Sequence, residues 1–367
     1  PPLTGDHKAD WAAFEQTYRD ITGRVPDLQD ELAVVTMEGM VAALGDNHAR
    51  WARGNRRHPD HYDGDAYGLG LVASDLGAPE AAVPPLFVTA VEGGAAEAAG
   101  LRPGDVIEEI DGTPPFVAGQ AVPAAIEALY PRYPQARPVR LRIRRETTGR
   151  RWSVTLKPGL YPRDFAALRT VQGKLLGDDV AYVRLRGFTP DAANRVFRAI
   201  SRLRSGRELT GIVLDLRGNG GGSPVEATRL MSAFVHGKVT AYQCTAEGAC
   251  EAAWTDDTVE LLGLPLVVLI DRGCASACEH FSSAAKDLRA GLLVGTRTAG
   301  VISGPARPYQ LRDNTILSLP SRHHLGPRRE VIDKVGVAPD HHVRPTPEDA
   351  AAGRDPALAK ALTLLRK

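Results

Sequence analysis

The sequence predicts an α/β protein of more than one domain, and three observations carry that prediction. Apolar runs of strand length at residues 211–216, 264–270 and 291–295 are separated by segments of helical periodicity, the alternation expected of a parallel sheet with helical crossovers. Residues 67–158 instead read as short strands punctuated by Gly and Pro. At 367 residues the chain is also too long for one ordinary compact domain, so two or three are expected.

In chain order, residues 1–60 are polar, with helical periodicity over 10–18 and 28–44, the second helix ending at Gly45. Asp46, Asn47 and His48 follow in a short loop, where a histidine is ordinarily a surface residue. A turn-rich linker covers 59–65. Strands are expected at YGLGLVA, PLFVTAV, VIEEIDG, PVRLRIRR and RWSVTLKP, with a small-residue helix over 94–99. Residues 161–179 lead to a strand at 180–185, a helix over 190–203 and the buried strand 211–216, which runs into LRGNGGG. The glycines there allow close backbone approach to a ligand. A nucleotide is disfavoured, because no Lys-Ser/Thr follows and the spacing is not G-x-G-x-x-G.

The chain is organised around residues 264–300, where a strand breaks at Asp271, Arg272 and Gly273 and a helix begins near Ser276. A hydroxyl at that turn is held by rigid elements beside free backbone N–H groups suited to an oxyanion. Ser276 with Glu279 also fits the S-x-x-E capping box, in which the serine serves only the helix amides. The cysteines fall into local pairs, Cys244 with Cys250 and Cys274 with Cys278. Such pairing suits disulfides in an oxidising compartment, Cys244–Cys250 being the better candidate, and the spacing is unlike a zinc knuckle.

A formal charge of +1 gives no electrostatic footprint for nucleic acid, and no apolar run approaches the ~20 residues of a membrane span. The opening residues, PPLTGDHKAD, contain neither a Met nor an apolar leader core, so a mature or trimmed form is expected. The histidines, including His58, His61 and the pairs 323–324 and 341–342, have no metal-site spacing, and no metal or cofactor is expected.

Residues 66–158 resemble a PDZ domain, through GLRPGDVIEEIDG and the YGLGL stretch, where Gly68, Leu69, Gly70 and Leu71 occupy the place of the carboxylate-binding loop. That likeness implies a peptide C-terminus as ligand. Residues 161–367 resemble the catalytic domain of the tricorn core and carboxy-terminal processing serine peptidases, through GIVLDLRGNGGG, GCASACEHF and VGVAPD followed by PTPEDAAAGRDPALAKAL. With LGDNH in residues 1–60, the likeness extends over nearly the whole chain. It implies a crotonase-like α/β catalytic domain with an inserted PDZ domain and an N-terminal helical region. It also implies a peptide or protein substrate, an exported (periplasmic or secreted) setting, and Ser276 as nucleophile. The amides of Ala277 and of Gly220 or Gly221 are then the oxyanion hole.

One branch of the family activates its serine with a lysine after a G-x-x-T-x-G stretch. Here that stretch is 295–300 and Val301 follows it, while Lys286 falls within the helix after Ser276. The tricorn-like branch uses a histidine in an L-x-D-x-H motif, which residues 44–48 supply, so the resemblance implies His48 as base. Asp333 stands where that branch has a glutamate, with Glu330 as the alternative acid, and Asn47 stands where it has a serine. Asp340 reads as a turn residue. A disulfide between Cys274 and Cys278 would stiffen the elbow and departs from the family pattern. Two other readings share the fold: a peptide-binding scaffold that has lost activation, and a serine esterase.

Overall fold

The structure is a computed structural model that describes residues 12, 16, 29–46, 48–53, 65–131, 137–163, 171–304, 306–311 and 315–366. The expected helix over 10–18 and the linker at 59–65 lie, but for single residues, outside that set, as do Asn47, His58 and His61.

The N-terminal segment contributes helix α1 (Gln29–Ala43), which closes at Gly45 in the left-handed conformation (φ 63°), and strand β1 (Arg50–Arg53). His48 lies between them.

The middle of the chain comprises β2 (Asp65–Gly68), β3 (Leu71–Ala73), β4 (Val88–Val91), α2 (Gly94–Ala98), β5 (Asp105–Ile110), β6 (Phe116–Val117), β7 (Gln120–Ala121), α3 (Pro123–Ile126), β8 (Val139–Arg145), β9 (Arg151–Leu156) and β10 (Gly159–Pro162). Its core gathers Leu86, Val88, Ile107, Ile110, Ile126, Leu141 and Ile143. The entering strand β2 pairs antiparallel with the leaving strand β10, so the two ends of this unit meet, as an insertion between other elements requires.

The remaining elements are β11 (Gln172–Leu176), β12 (Val180–Arg184), α4 (Ala192–Arg204), β13 (Gly211–Asp215), α5 (Pro224–Ser232), β14 (Val239–Cys244), β15 (Cys250–Trp254), β16 (Leu266–Ile270), α6 (Ala277–Asp287), β17 (Leu292–Gly295), β18 (Ala306–Gln310), β19 (Thr315–Pro320), β20 (His323–Leu325), β21 (His341–His342), α7 (Pro347–Ala351) and α8 (Pro356–Leu365). Among the described residues the main sheet has the order β11-β12-β13-β16-β17-β21 and is parallel from β12 to β21. β16 is apolar at every position and β13 at all but its terminal Asp215, because both faces are covered. Ile212, Leu214, Val268 and Ile270 pack with Val196, Ile200, Leu230 and Phe281 from α4, α5 and α6. The alternate residues, Val213, Val267, Leu269 and Val294, pack with Ala357 and Ala361 of α8. Arg217 at the end of β13 holds α8 in place, donating to Asp215 and to Asp355 at 2.7 Å each.

Two further three-stranded sheets accompany the main sheet. β14 pairs with β15 and β20, and Cys244 is disulfide-bonded to Cys250 directly across the β14–β15 ladder. β19 pairs with β18 on one side and on the other with β1, the strand that follows His48. That pairing fastens the N-terminal segment to the last third of the chain.

Candidate active site

Ser276 caps α6 in an unusual way. Its φ of 55° and ψ of −120° lie in a region that L-residues rarely occupy, where the surroundings must hold the backbone. They do so through its own amide, which donates to Val301 O at 2.9 Å and to Glu279 Oε2 at 3.2 Å. Ser276 and Glu279 thus stand as a capping box, its Glu279 half closed by the 3.2 Å contact; the serine side chain faces the Glu279 amide, whose N–H donates to Ser276 O at 2.8 Å. In a cap the hydroxyl only accepts, so its proton stays available for transfer.

The turns around the serine are stitched together. Asp271 Oδ1 accepts from Gly218 N at 2.8 Å and Gly273 N at 2.9 Å, joining the loop after β13 to the loop after β16, and burial pushes its pKa up. Cys274 and Cys278, both buried, are disulfide-bonded and bracket Ser276. Glu279 is buried and accepts from Thr298 Oγ1 and Gly300 N at 2.6 Å each and from Val301 N at 2.8 Å. Burial pushes its pKa up against the lowering effect of these donors.

Gly221 lies against the serine: a Cβ there would stand 2.6 Å from Ser276 Cβ and 2.7 Å from Ala275 O, and its φ is +102°. Its amide donates to Asn219 Oδ1 at 2.9 Å, while Asn219 Nδ2 donates to Leu185 O at 3.0 Å. The Gly221 N–H is thus already engaged, which corrects its expected place among free donors. Among the described residues the amides of Ala277, Gly220 and Gly222 have no acceptor, and Gly222 and Ala277 line the same cavity as Ser276.

That cavity, of about 230 Å³, is also lined by His48. His48 is half-buried, and its N–H donates to Asp46 Oδ1 at 2.8 Å. Its ring Nδ1 stands 4.0 Å from the same oxygen and has no hydrogen-bond partner among the described residues. Burial lowers the His48 pKa below 6.5; Asp46 raises it, Arg50 lowers it and Asp333 raises it. Asp333 is therefore close enough for its charge to be felt at the ring, and it is held by Ile302 N at 3.3 Å.

Glu330 is engaged elsewhere: burial and a hydrogen bond with Asp287 push its pKa up to about 7. Lys286 donates to Ala338 O at 2.7 Å and pairs with Asp340 at 3.6 Å, so its ammonium is tied down beside the turn before β21. Asp340 accepts from Leu293 N at 2.8 Å, a structural role. No cluster of His, Cys, Asp and Glu fit to hold a metal occurs among the described residues, and no described helix is long and apolar enough to cross a membrane. Sequence reasoning missed Asp46, Asn219 and the second histidine-bearing wall of the cavity. For Asp46 the local L-G-D-N-H spacing held the signal.

In the glycine-rich loop at 68–71, Leu69 O accepts from Ala96 N at 2.9 Å and Gly70 O from Glu92 N at 2.8 Å. The Leu69 and Gly70 amides have no acceptor among the described residues. A larger cavity, about 540 Å³, lies between this middle unit and α7–α8, lined by Arg184, Arg217, Arg344 and Arg354, and contains neither Ser276 nor His48.

Fold and site define a two-part protein: an α/β domain presenting a serine at a constrained strand-to-helix elbow, and an inserted β-rich binding module. Residues 179–343 match Peptidase family S41 and residues 87–145 match the PDZ domain, so the chain carries a domain of that peptidase family together with a PDZ domain. It is 29% identical over 350 residues to carboxyl-terminal-processing peptidase 2, chloroplastic, of Arabidopsis thaliana, covering 90% of this chain and 65% of that one. It is 26% identical over 343 residues to carboxy-terminal processing protease CtpA of Bacillus subtilis, covering 92% and 69%. The chain thus spans about two-thirds of the length of these relatives. The solved photosystem II D1 C-terminal processing protease superposes with a TM-score of 0.56 at 23% identity, covering 91% of this chain and 92% of that one. Mature CPAF with lactacystin gives 0.62 at 14%, covering 93% and 90%. Both show a shared fold.

Proposed function

We propose that this protein is a serine peptidase of the carboxy-terminal processing type. Ser276 is the nucleophile, His48 the general base and Asp333 the orienting acid. The observation that carries the reading is the meeting, in one cavity, of a serine held at a constrained elbow and an imidazole from a distant segment. Burial favours neutral His48, the form that can take the Ser276 proton and return it to the leaving amine. The tetrahedral oxyanion is met by the free amides of Ala277 and of Gly220 or Gly222, donors already in place before charge develops. Nδ1 needs an acceptor to fix its tautomer. A turn of the ring toward Asp333 on substrate binding supplies it, since catalytic contacts often tighten only then.

The catalytic domain is read as crotonase-like, with α1 and the His48 loop as an N-terminal helical region that completes the site. The PDZ module is read as holding a peptide carboxylate at the free Leu69 and Gly70 amides. The two disulfides support an exported setting. The test is turnover of a fluorogenic peptide and of a matched ester, with fluorophosphonate labelling. Ser276→Ala should abolish labelling and lower peptide turnover by several powers of ten. Peptidase activity at the wild-type level in that variant would sink the mechanism, and ester turnover alone would make the protein an esterase.

A further inference from the structure

Two histidines form a wall of the Ser276 cavity, and the mechanism above uses neither. His280 stands one turn beyond Ser276 on α6 and is 1% exposed; His324 lies on β20 and is 4% exposed. His324 pairs across the ladder with Gln243 of β14, which lines the same cavity. The two rings are 5.0 Å apart and inclined at 54°.

His280 Nε2 lies 3.0 Å from Thr240 Oγ1, and the Thr240 hydroxyl proton goes to Ala253 O at 3.1 Å. Thr228 Oγ1 also lies 3.0 Å from Thr240 Oγ1 and 3.4 Å from His280 Nε2, so the two hydroxyls engage Nε2 in either tautomer and leave Nδ1 without a partner, as a bare acceptor or as an unpaired N–H. Among the described residues, His280 Nδ1 and His324 Nε2 are buried without a partner. Burial holds both rings neutral, pushing His280 down to about 3 and His324 to about 4. Among the described residues, those lining the cavity include no Asp, Glu, Lys or Arg.

A buried polar nitrogen without a partner calls for an occupant that supplies one. An aliphatic side chain would leave both nitrogens unpaired, and a carboxylate would enter a space with no countercharge. A carboxamide donates through its NH2 group and accepts through its oxygen, so it can satisfy a bare nitrogen and an N–H together.

We propose that His280 and His324, with Gln243, form the subsite for the substrate side chain beside the scissile bond, and that this subsite selects a carboxamide (Asn or Gln) over an aliphatic or acidic side chain of the same size. The proposal rests on the peptidase reading of Ser276, and its test separates the two. Peptides carrying Asn, Leu or Asp at one position at a time are bound to Ser276→Ala by calorimetry and offered to the native protein as substrates at pH 7. The Asn peptide at one position should bind, and be cleaved, about ten- to a hundredfold better than the Leu and Asp peptides. His324→Leu should remove that preference. Binding of Leu peptides as tightly as Asn peptides at every position overturns the subsite, whatever the activity. An Asn preference in binding without cleavage by the native protein leaves the subsite standing and removes the peptidase reading. Cleavage through Ser276 with no preference does the reverse.

Discussion

Gly221→Ala perturbs the elbow at its tightest point. A Cβ at this position would lie 2.6 Å from Ser276 Cβ, 2.7 Å from Ala275 O and 3.0 Å from Ala277 N, where ordinary contact begins at 3.4 Å. The serine or the glycine loop must retreat by about 0.8 Å, the difference between 3.4 and 2.6 Å. Misplacing a reacting group by about 1 Å costs on the order of 10²-fold in rate, or about 2.7 kcal/mol in the barrier. The φ of +102° adds backbone strain of about 1–3 kcal/mol for alanine. The expected result is a kcat/KM on a fluorogenic peptide about 10²-fold below wild type, with a melting temperature lower by several degrees. The neighbouring Gly220 is the stability control, since a Cβ there meets nothing within 4 Å and Gly220→Ala should melt as wild type does. A Gly221→Ala enzyme within threefold of wild-type kcat/KM would refute the argument that this glycine sets the serine.

Other predictions concern the acid and the buried imidazoles. His48 must be neutral to act, and its pKa is held below 6.5, so kcat/KM should have its acid limb below pH 6.5. Asp333→Asn removes an influence that raises that pKa, so the limb should move to lower pH while the plateau falls by about 10²- to 10⁴-fold. Asp46→Asn should move the limb the same way with a smaller loss; a larger loss for Asp46→Asn would make Asp46 the orienting acid. His280 and His324 have folded pKa values of about 3 and about 4, below the 6.5 of the unfolded chain. Their contribution to stability is present above pH 6.5 and is lost as pH falls toward 4, by at most ~1.4 kcal/mol per pH unit for each histidine. His324→Gln should flatten urea-melt stability against pH between 6.5 and 4.5, and an unchanged slope counts against a neutral buried His324.

The parallel core was legible because its central strands are near-continuous apolar runs, and the structure shows why: α4 to α6 cover one face and α8 the other. The elbow was legible from strand, turn and helix signals around Ser276. The fate of its amides was not, because Asn219 reaches Gly221 only once the loop after β13 has curled. His323 and His324 read as scattered surface histidines. Only the β14–β20 pairing turns His324 inward while His323 stays exposed. Locally, His48 was an ordinary loop residue; what brings it to Ser276 is the pairing of β1 with β19, from opposite ends of the chain. No local periodicity encodes a contact of that range.

The proposed nucleophile and acid, by contrast, share one short segment. Val301 O accepts from Ser276 N, Gly300 and Val301 donate to Glu279, Ile302 donates to Asp333, and Gly300 O accepts from Lys334 N at 2.7 Å. The α/β domain thus builds Ser276 and Asp333 as one unit, and the proposed base, His48, arrives separately through β1. A base delivered in this way should be replaceable. His48→Ala should lose about 10³- to 10⁴-fold in turnover. Added imidazole should restore part of it, because the truncated side chain opens space in the cavity that already contains Ser276. Asp333→Asn retains its own imidazole and should gain nothing from the additive. Rescue is read as kcat/KM against imidazole concentration at pH 7.5, with 4-methylimidazole as the size control. A His48→Ala protein that keeps a tenth of wild-type turnover without imidazole would show that some other group removes the serine proton, and the separately delivered base would have to be abandoned.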